Sequence, residues 1–202
     1  MTKPFVLGLT GSIGMGKSTI GRFFREAGVP VWEADETVHR LYAKGGPAAR
    51  KIAAFRPQAV KDGAVDREAL KEWIGKDQSA LRAIEAIIHP LVASDRADFI
   101  AGAEAAGERL VVLEIPLLYE THVEGEMDAV LVVSAPADIQ KARVMARPGM
   151  TEANFAMLLA KQMPDRKKRE LADFVIQSID LDASKQAVMA LIERLRTRLP
   201  VA

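Results

Sequence analysis

The chain contains no cysteine, which excludes disulfides, a thiol nucleophile and any cysteine-ligated metal. It is poor in aromatic residues (5%), and its one asparagine is Asn154. An excess of either charge is missing too: the formal net charge is +1, so no overall attraction to nucleic acid or to a membrane surface is expected. No signal segment and no apolar run of about 18 residues, the length that could span a bilayer, can be found. These absences predict a cytoplasmic protein with neither a nucleic-acid nor a membrane partner. A monomer is expected, with weak self-association at most.

The lone asparagine also bears on function. A GTP switch carries an N/T-K-x-D base-reading motif and a D-x-x-G segment. Here Asn154 is followed by Phe155, and no aspartate has glycine three places later. A GTPase is therefore disfavoured.

What the chain does have is an alternation of apolar runs and amphipathic stretches. At 202 residues, 49% apolar and 27% charged, it suffices for one α/β domain with insertions. Strands are predicted at residues 5–9, 29–32, 109–114, 128–133 and 174–176, with helices between them and a closing helix over 184–199. Such alternation implies a parallel, doubly wound sheet with right-handed crossovers. Residues 47–107 show no convincing strand. Leu70, Trp73 and Ile74 mark one amphipathic helix, and Leu81, Ile84, Ile87 and Ile88 another, with His89-Pro90 as punctuation. This block is too long for a plain crossover. The expected organisation is a sheet-bearing core (1–35, 108–140, 165–202) with an inserted helical block (36–107) and a shorter helical segment (141–164).

The strongest chemical signal follows the first strand. Gly11-Ser12-Ile13-Gly14-Met15-Gly16-Lys17-Ser18 fits G-x-x-x-x-G-K-[ST], and Thr19 continues it into a helix. Glycines let the backbone curl so that successive N–H groups face a phosphate chain. The helix beginning near Lys17 adds its positive end. Lys17 then reaches the β and γ phosphates, and the Ser18 hydroxyl can ligate magnesium. ATP binding with magnesium follows.

Further candidates lie at strand ends, which face the ligand crevice in an open α/β sheet. Asp35 can take the proton of an attacking hydroxyl, or cap the following helix. Glu114 stands where a magnesium-holding carboxylate would stand, or is a surface residue at the end of its strand. Arg143 and Arg147, four apart, would share a helix face just before the Pro148-Gly149 break, as lid arginines that stabilise transferring charge or as solvated charges. The Arg166-Lys167-Lys168-Arg169 run reads as a solvated face, and His39 and His122 suggest no metal site.

Together these motifs resemble one family, the dephospho-coenzyme A kinases. The resemblance runs through residues 9–19, Glu33-Ala34-Asp35, Ile88-His89-Pro90-Leu91, Ile115-Pro116-Leu117-Leu118-Tyr119-Glu120, Gln140, Arg143, Arg147, Thr151, Gln162 and residues 172–176. It implies an adenylate-kinase-like fold with a nucleotide-binding core (1–35, 108–140, 165–202), a helical substrate-binding domain (36–107) and a helical lid (141–164), in which ATP and magnesium phosphorylate the ribose 3′-hydroxyl of dephospho-CoA. Asp35 would be the base, Lys17 and Ser18 would handle phosphates and metal, Arg147 would be the lid arginine, and His89 would lie on the substrate side. The family's Asp-Ala-Asp is here Glu33-Ala34-Asp35. Its Asn-x-Gly-type turn near the adenine is replaced by Gln177-Ser178-Ile179-Asp180. A kinase for nucleosides or nucleotides, and an ATP-binding module without transfer, are the competing readings.

Overall fold

A computed structural model describes residues 3–198. Five strands form a parallel sheet: β1 (Phe5–Thr10), β2 (Val31–Glu33), β5 (Leu110–Glu114), β6 (Ala129–Ser134) and β7 (Phe174–Gln177), in the order β2-β5-β1-β6-β7. The central strand pairs in parallel with both neighbours, Leu9 opposite Glu114 on one side and Leu131 on the other. Leu7, Leu9, Leu110, Val112, Leu131 and Val133 alternate along their strands into one core. That core is closed by Ile20, Phe23 and Phe24 of α1 (Lys17–Glu26) and by Val188, Ile192 and Leu195 of α9 (Leu181–Arg198). Val6, Val111, Leu113 and Val132, from the alternate positions, are buried as well. Burial on both faces explains why these strands read as unbroken apolar runs.

The chain divides into two compact units. One comprises the residues up to Trp32 and from Gly102 onward; the other is Glu33–Ala101. Three further helices of the first unit follow β6: α6 (Ala137–Met145), α7 (Glu152–Ala160) and α8 (Asp165–Leu171). As its spacing implies, Thr151 caps α7, its side chain accepting from the Asn154 N–H at 3.2 Å. No helix among the described residues is long and apolar enough to cross a membrane.

The second unit holds α2 (Ala34–Tyr42), α3 (Pro47–Phe55), α4 (Arg67–Lys76) and most of α5 (Gln78–Ala105). Its own core gathers Leu41, Ile52, Leu70, Ile84 and Ile88. Contrary to expectation it also contains strands, β3 (Val60–Lys61) and β4 (Ala64–Val65), paired antiparallel. The Asp62-Gly63 turn between them has positive φ at both residues (51° and 81°), the twist that suits a two-residue hairpin. A second correction concerns Pro90, which does not break its helix. The α5 helix runs through it for 28 residues. A proline inside a helix costs about 3 kcal/mol, but burial of Ile84 and Ile88 on the turns just before it offsets a cost of that size.

Candidate phosphoryl-transfer site

The phosphate loop leaves the C-terminal end of β1 and feeds α1. Gly11, Gly14 and Gly16 all have positive φ (153°, 78° and 90°). Space demands glycine as well. A Cβ would stand 2.4 Å from the Val133 carbonyl at Gly11, 2.5 Å from Val144 Cγ2 at Gly14 and 2.5 Å from Ser178 Oγ at Gly16. The loop is therefore pressed against β6, α6 and the turn after β7. Lys17 Nζ donates to the Gly11 carbonyl at 2.6 Å and to that of Ser12 at 3.4 Å. Buried Met15 accepts the Ala135 N–H on its sulfur at 3.1 Å. Helix α1 has no side-chain cap, so its first N–H groups and its dipole face the loop.

Ser18 and Glu114 meet: the Ser18 hydroxyl donates to Glu114 Oε1 at 3.2 Å. Glu114 is only 5% exposed. Gly21 makes this possible, since a Cβ there would lie 2.7 Å from Glu114 Oε2. Two hard oxygen donors, a hydroxyl and a carboxylate, fit magnesium, which binds through one or two protein groups and takes its remaining ligands from phosphate and water.

Arg143 also reaches this region. It donates to the Ser178 carbonyl at 2.7 Å and lies 3.5 Å from Ser178 Oγ, beside Gly16. Ser178 is thus a contact of the loop that its sequence did not signal, since the turn lacks the family's residues. Arg147 does not share the helix with Arg143. The helix ends at Met145, and Arg147 is an exposed residue of the turn that follows.

Asp35 and His89 belong to the second unit, and both are exposed. Asp35 is not an N-cap: that position is held by Glu33, and Asp35 lies in the first turn of α2, where its charge complements the helix dipole. The helix that carries it is fastened to α5. Fully buried Thr37 donates to Asp95 Oδ1 at 3.0 Å, and Arg40 Nη2 reaches both oxygens of that carboxylate at 3.0 and 3.1 Å. His89 lies in the middle of α5.

The basic run 166–169 is not a solvated face throughout. Lys168 is fully buried, its Nζ 2.8 Å from Glu120 Oε1, and the same oxygen accepts the Met163 N–H at 2.7 Å. A run of four cations hides which one turns inward. The signal that could have found it is Glu120, at the end of the Pro116-Leu117-Leu118 segment.

The sequence model of the dephospho-CoA kinase family matches residues 5–182. This chain belongs to that family. It is 55% identical over 194 residues to a dephospho-CoA kinase of Cereibacter sphaeroides, covering 96% of this chain and 97% of the relative. A crystal structure from Thermus thermophilus superposes with a TM-score of 0.83 at 32% identity, over 96% of this chain and 99% of the other. The dephospho-CoA kinase of Campylobacter jejuni shares the fold, with a TM-score of 0.67 at 21% identity, over 96% and 98% of the two chains.

Proposed function

We propose that this protein transfers the γ-phosphoryl group of ATP to the ribose 3′-hydroxyl of dephospho-CoA, giving CoA and ADP in the last step of CoA synthesis. The observation that carries the reading is the glycine-tight loop with Lys17 and the Ser18–Glu114 pair, in a chain matched to the kinase family from residue 5 to 182.

In this reading the loop of residues 11–19 cradles the phosphates with those of its N–H groups that are not bonded within the protein, as the Ile13 and Met15 N–H groups are, and Lys17 leaves its two carbonyl partners to neutralise β and γ oxygens. Ser18 and Glu114 are the residues that would hold magnesium, which would supply charge neutralisation at the phosphates. Asp35 receives the acceptor hydroxyl's proton as the new O–P bond forms and the bond to the ADP oxygen breaks. His89 lies on the acceptor side. Arg147, on its turn, and Arg143 stabilise charge on the moving phosphoryl group. Residues 36–107 act as the acceptor-binding domain, residues 141–164 as the lid, and the remainder as the nucleotide core. The enzyme works in the cytoplasm, as a monomer.

The test is acceptor-dependent ADP formation, with mass analysis of the product. Dephospho-CoA should gain one phosphate at the 3′ position, and AMP and simple nucleosides should be poor acceptors. Transfer to nucleosides at least as fast as to dephospho-CoA would sink the assignment and leave the phosphate loop intact.

A further inference from the structure

One residue of the phosphate loop is gripped from two directions. The Ile13 N–H donates to Gln162 Oε1 at 3.0 Å, and Gln140 Nε2 donates to the Ile13 carbonyl at 2.8 Å. The amide orientations are forced, because an N–H can be met only by the oxygen and a carbonyl only by the NH2 group. Gln140 is on α6 and only 7% exposed; Gln162 follows α7. The two glutamines therefore stand at the two ends of the α6–α7 segment and close on a single loop residue.

Both ends are themselves fixed. At the first, Gly14 packs so closely on α6 that a Cβ would be 2.5 Å from Val144 Cγ2 and 3.1 Å from the Gln140 carbonyl. At the second, the neighbour of Gln162 is anchored, since the Met163 N–H is bonded to Glu120, which pairs with buried Lys168. Gln162 is thus held in place by its surroundings.

We infer that Gln140 and Gln162 are positioning residues that hold the Ile13 peptide groups in the phosphate-binding shape before nucleotide arrives. A loop with glycines at 11, 14 and 16 is costly to order. When the order is built into the free protein, binding does not have to supply it. The same two bonds make the loop's shape depend on where both ends of α6–α7 stand. The inference rests on the phosphate-loop reading and not on the identity of the acceptor.

Comparison of two substitutions at each position tests it. Methionine keeps the volume and removes the hydrogen bond at both. Glutamate keeps an oxygen for the Ile13 N–H at position 162, but offers no donor to the Ile13 carbonyl at position 140. Amide hydrogen exchange at Ile13 in the free protein, and binding of magnesium ADP, are the readouts, and neither involves an acceptor. Gln162→Met should speed Ile13 exchange and weaken ADP by about three- to tenfold, the size of one lost hydrogen bond. Gln162→Glu should restore the slow exchange. Gln140→Met should weaken ADP similarly, and Gln140→Glu should not recover it. If glutamate and methionine behave alike at position 162, or if neither changes exchange or binding, the positioning role is wrong. That result would stand apart from any result with dephospho-CoA.

Discussion

Glu114 and Asp35 are both carboxylates beside strand ends, yet they are held in opposite ways. Glu114 ends β5, is 5% exposed, accepts from Ser18 and lies against a helix that has room for it only because residue 21 is glycine. Asp35 is exposed, and none of the described hydrogen bonds involves its side chain. Its unit fixes the helix beneath it, through Thr37, Arg40 and Asp95, and leaves the carboxylate to the solvent. On the function proposed above, the phosphate side is thus made by backbone and burial, and the acceptor side by side chains on a firm support. Substitutions on the phosphate side should therefore disturb geometry, whereas those on the acceptor side should remove chemistry and leave stability alone.

The largest effect is expected at Lys17. Lys17→Ala removes the ammonium proposed to meet the phosphates, together with its two bonds to the loop carbonyls of Gly11 and Ser12. Turnover should fall by at least about a hundredfold, comparable to deleting one preorganised donor, while the melting temperature changes little. Near-normal turnover would remove Lys17 from the site.

Gly21→Ala is a sharper test of enclosure. Alanine favours a helix over glycine by about 1 kcal/mol, so α1 alone would be stabilised. The added Cβ must displace the Glu114 carboxylate, 2.7 Å away. The expected outcome is unchanged or higher stability with a turnover loss of about tenfold, the scale of one displaced metal-holding group, eased by raising magnesium. Ordinary magnesium dependence in this variant would show that Glu114 has no part in holding the ion.

Asp35→Asn probes the other side. It keeps size and hydrogen-bonding capacity, so unfolding free energy should stay within about 0.5 kcal/mol, as for exposed positions generally. Turnover should drop about tenfold or more, though less than for full proton abstraction, because phosphoryl transfer depends largely on positioning. An Asn variant that is destabilised yet fully active per folded molecule would reverse the comparison.

The same contrast governs what could be read in advance. The sheet strands were legible because burial on both faces writes an apolar run, and the phosphate loop because its glycines are demanded by φ and by space together. The Asp62-Gly63 hairpin carries a turn signal of only two residues between strands of two residues each, too short for any periodicity. Pro90 misled because a local propensity gave way to tertiary packing. Lys168 was hidden among three other cations, and Arg143 bonds Ser178 through a backbone carbonyl, which no side-chain pattern can announce. Glu114 and Ser18, 96 positions apart, could be paired only by strand-end geometry.

The smallest effect belongs to an enclosed group outside the phosphate site, and it asks whether enclosure alone implies function. Tyr119 is 3% exposed, and its hydroxyl has no hydrogen-bond partner among the described residues. Burial, helped by the Asp173 and Glu124 carboxylates, pushes its ionisation up to about 12 from the usual 10. Below pH 10 the tyrosine is neutral both folded and unfolded, and it contributes no pH dependence. Between pH 10 and 12 the unfolded chain releases the proton and the folded chain keeps it. Stability therefore falls as pH rises, by up to about 1.4 kcal/mol per pH unit from this group. Tyr119→Phe removes an unsatisfied hydroxyl, so turnover at neutral pH should be unchanged and stability equal or slightly higher. In urea unfolding from pH 9 to 12 the variant should lose stability less steeply than the parent. Lysines titrate in both proteins, and Tyr42 is present in both, so the difference between the two curves isolates Tyr119. Parallel curves would mean that the hydroxyl is solvated in the folded protein, and a loss of turnover at neutral pH would give this enclosed residue a part in the reaction.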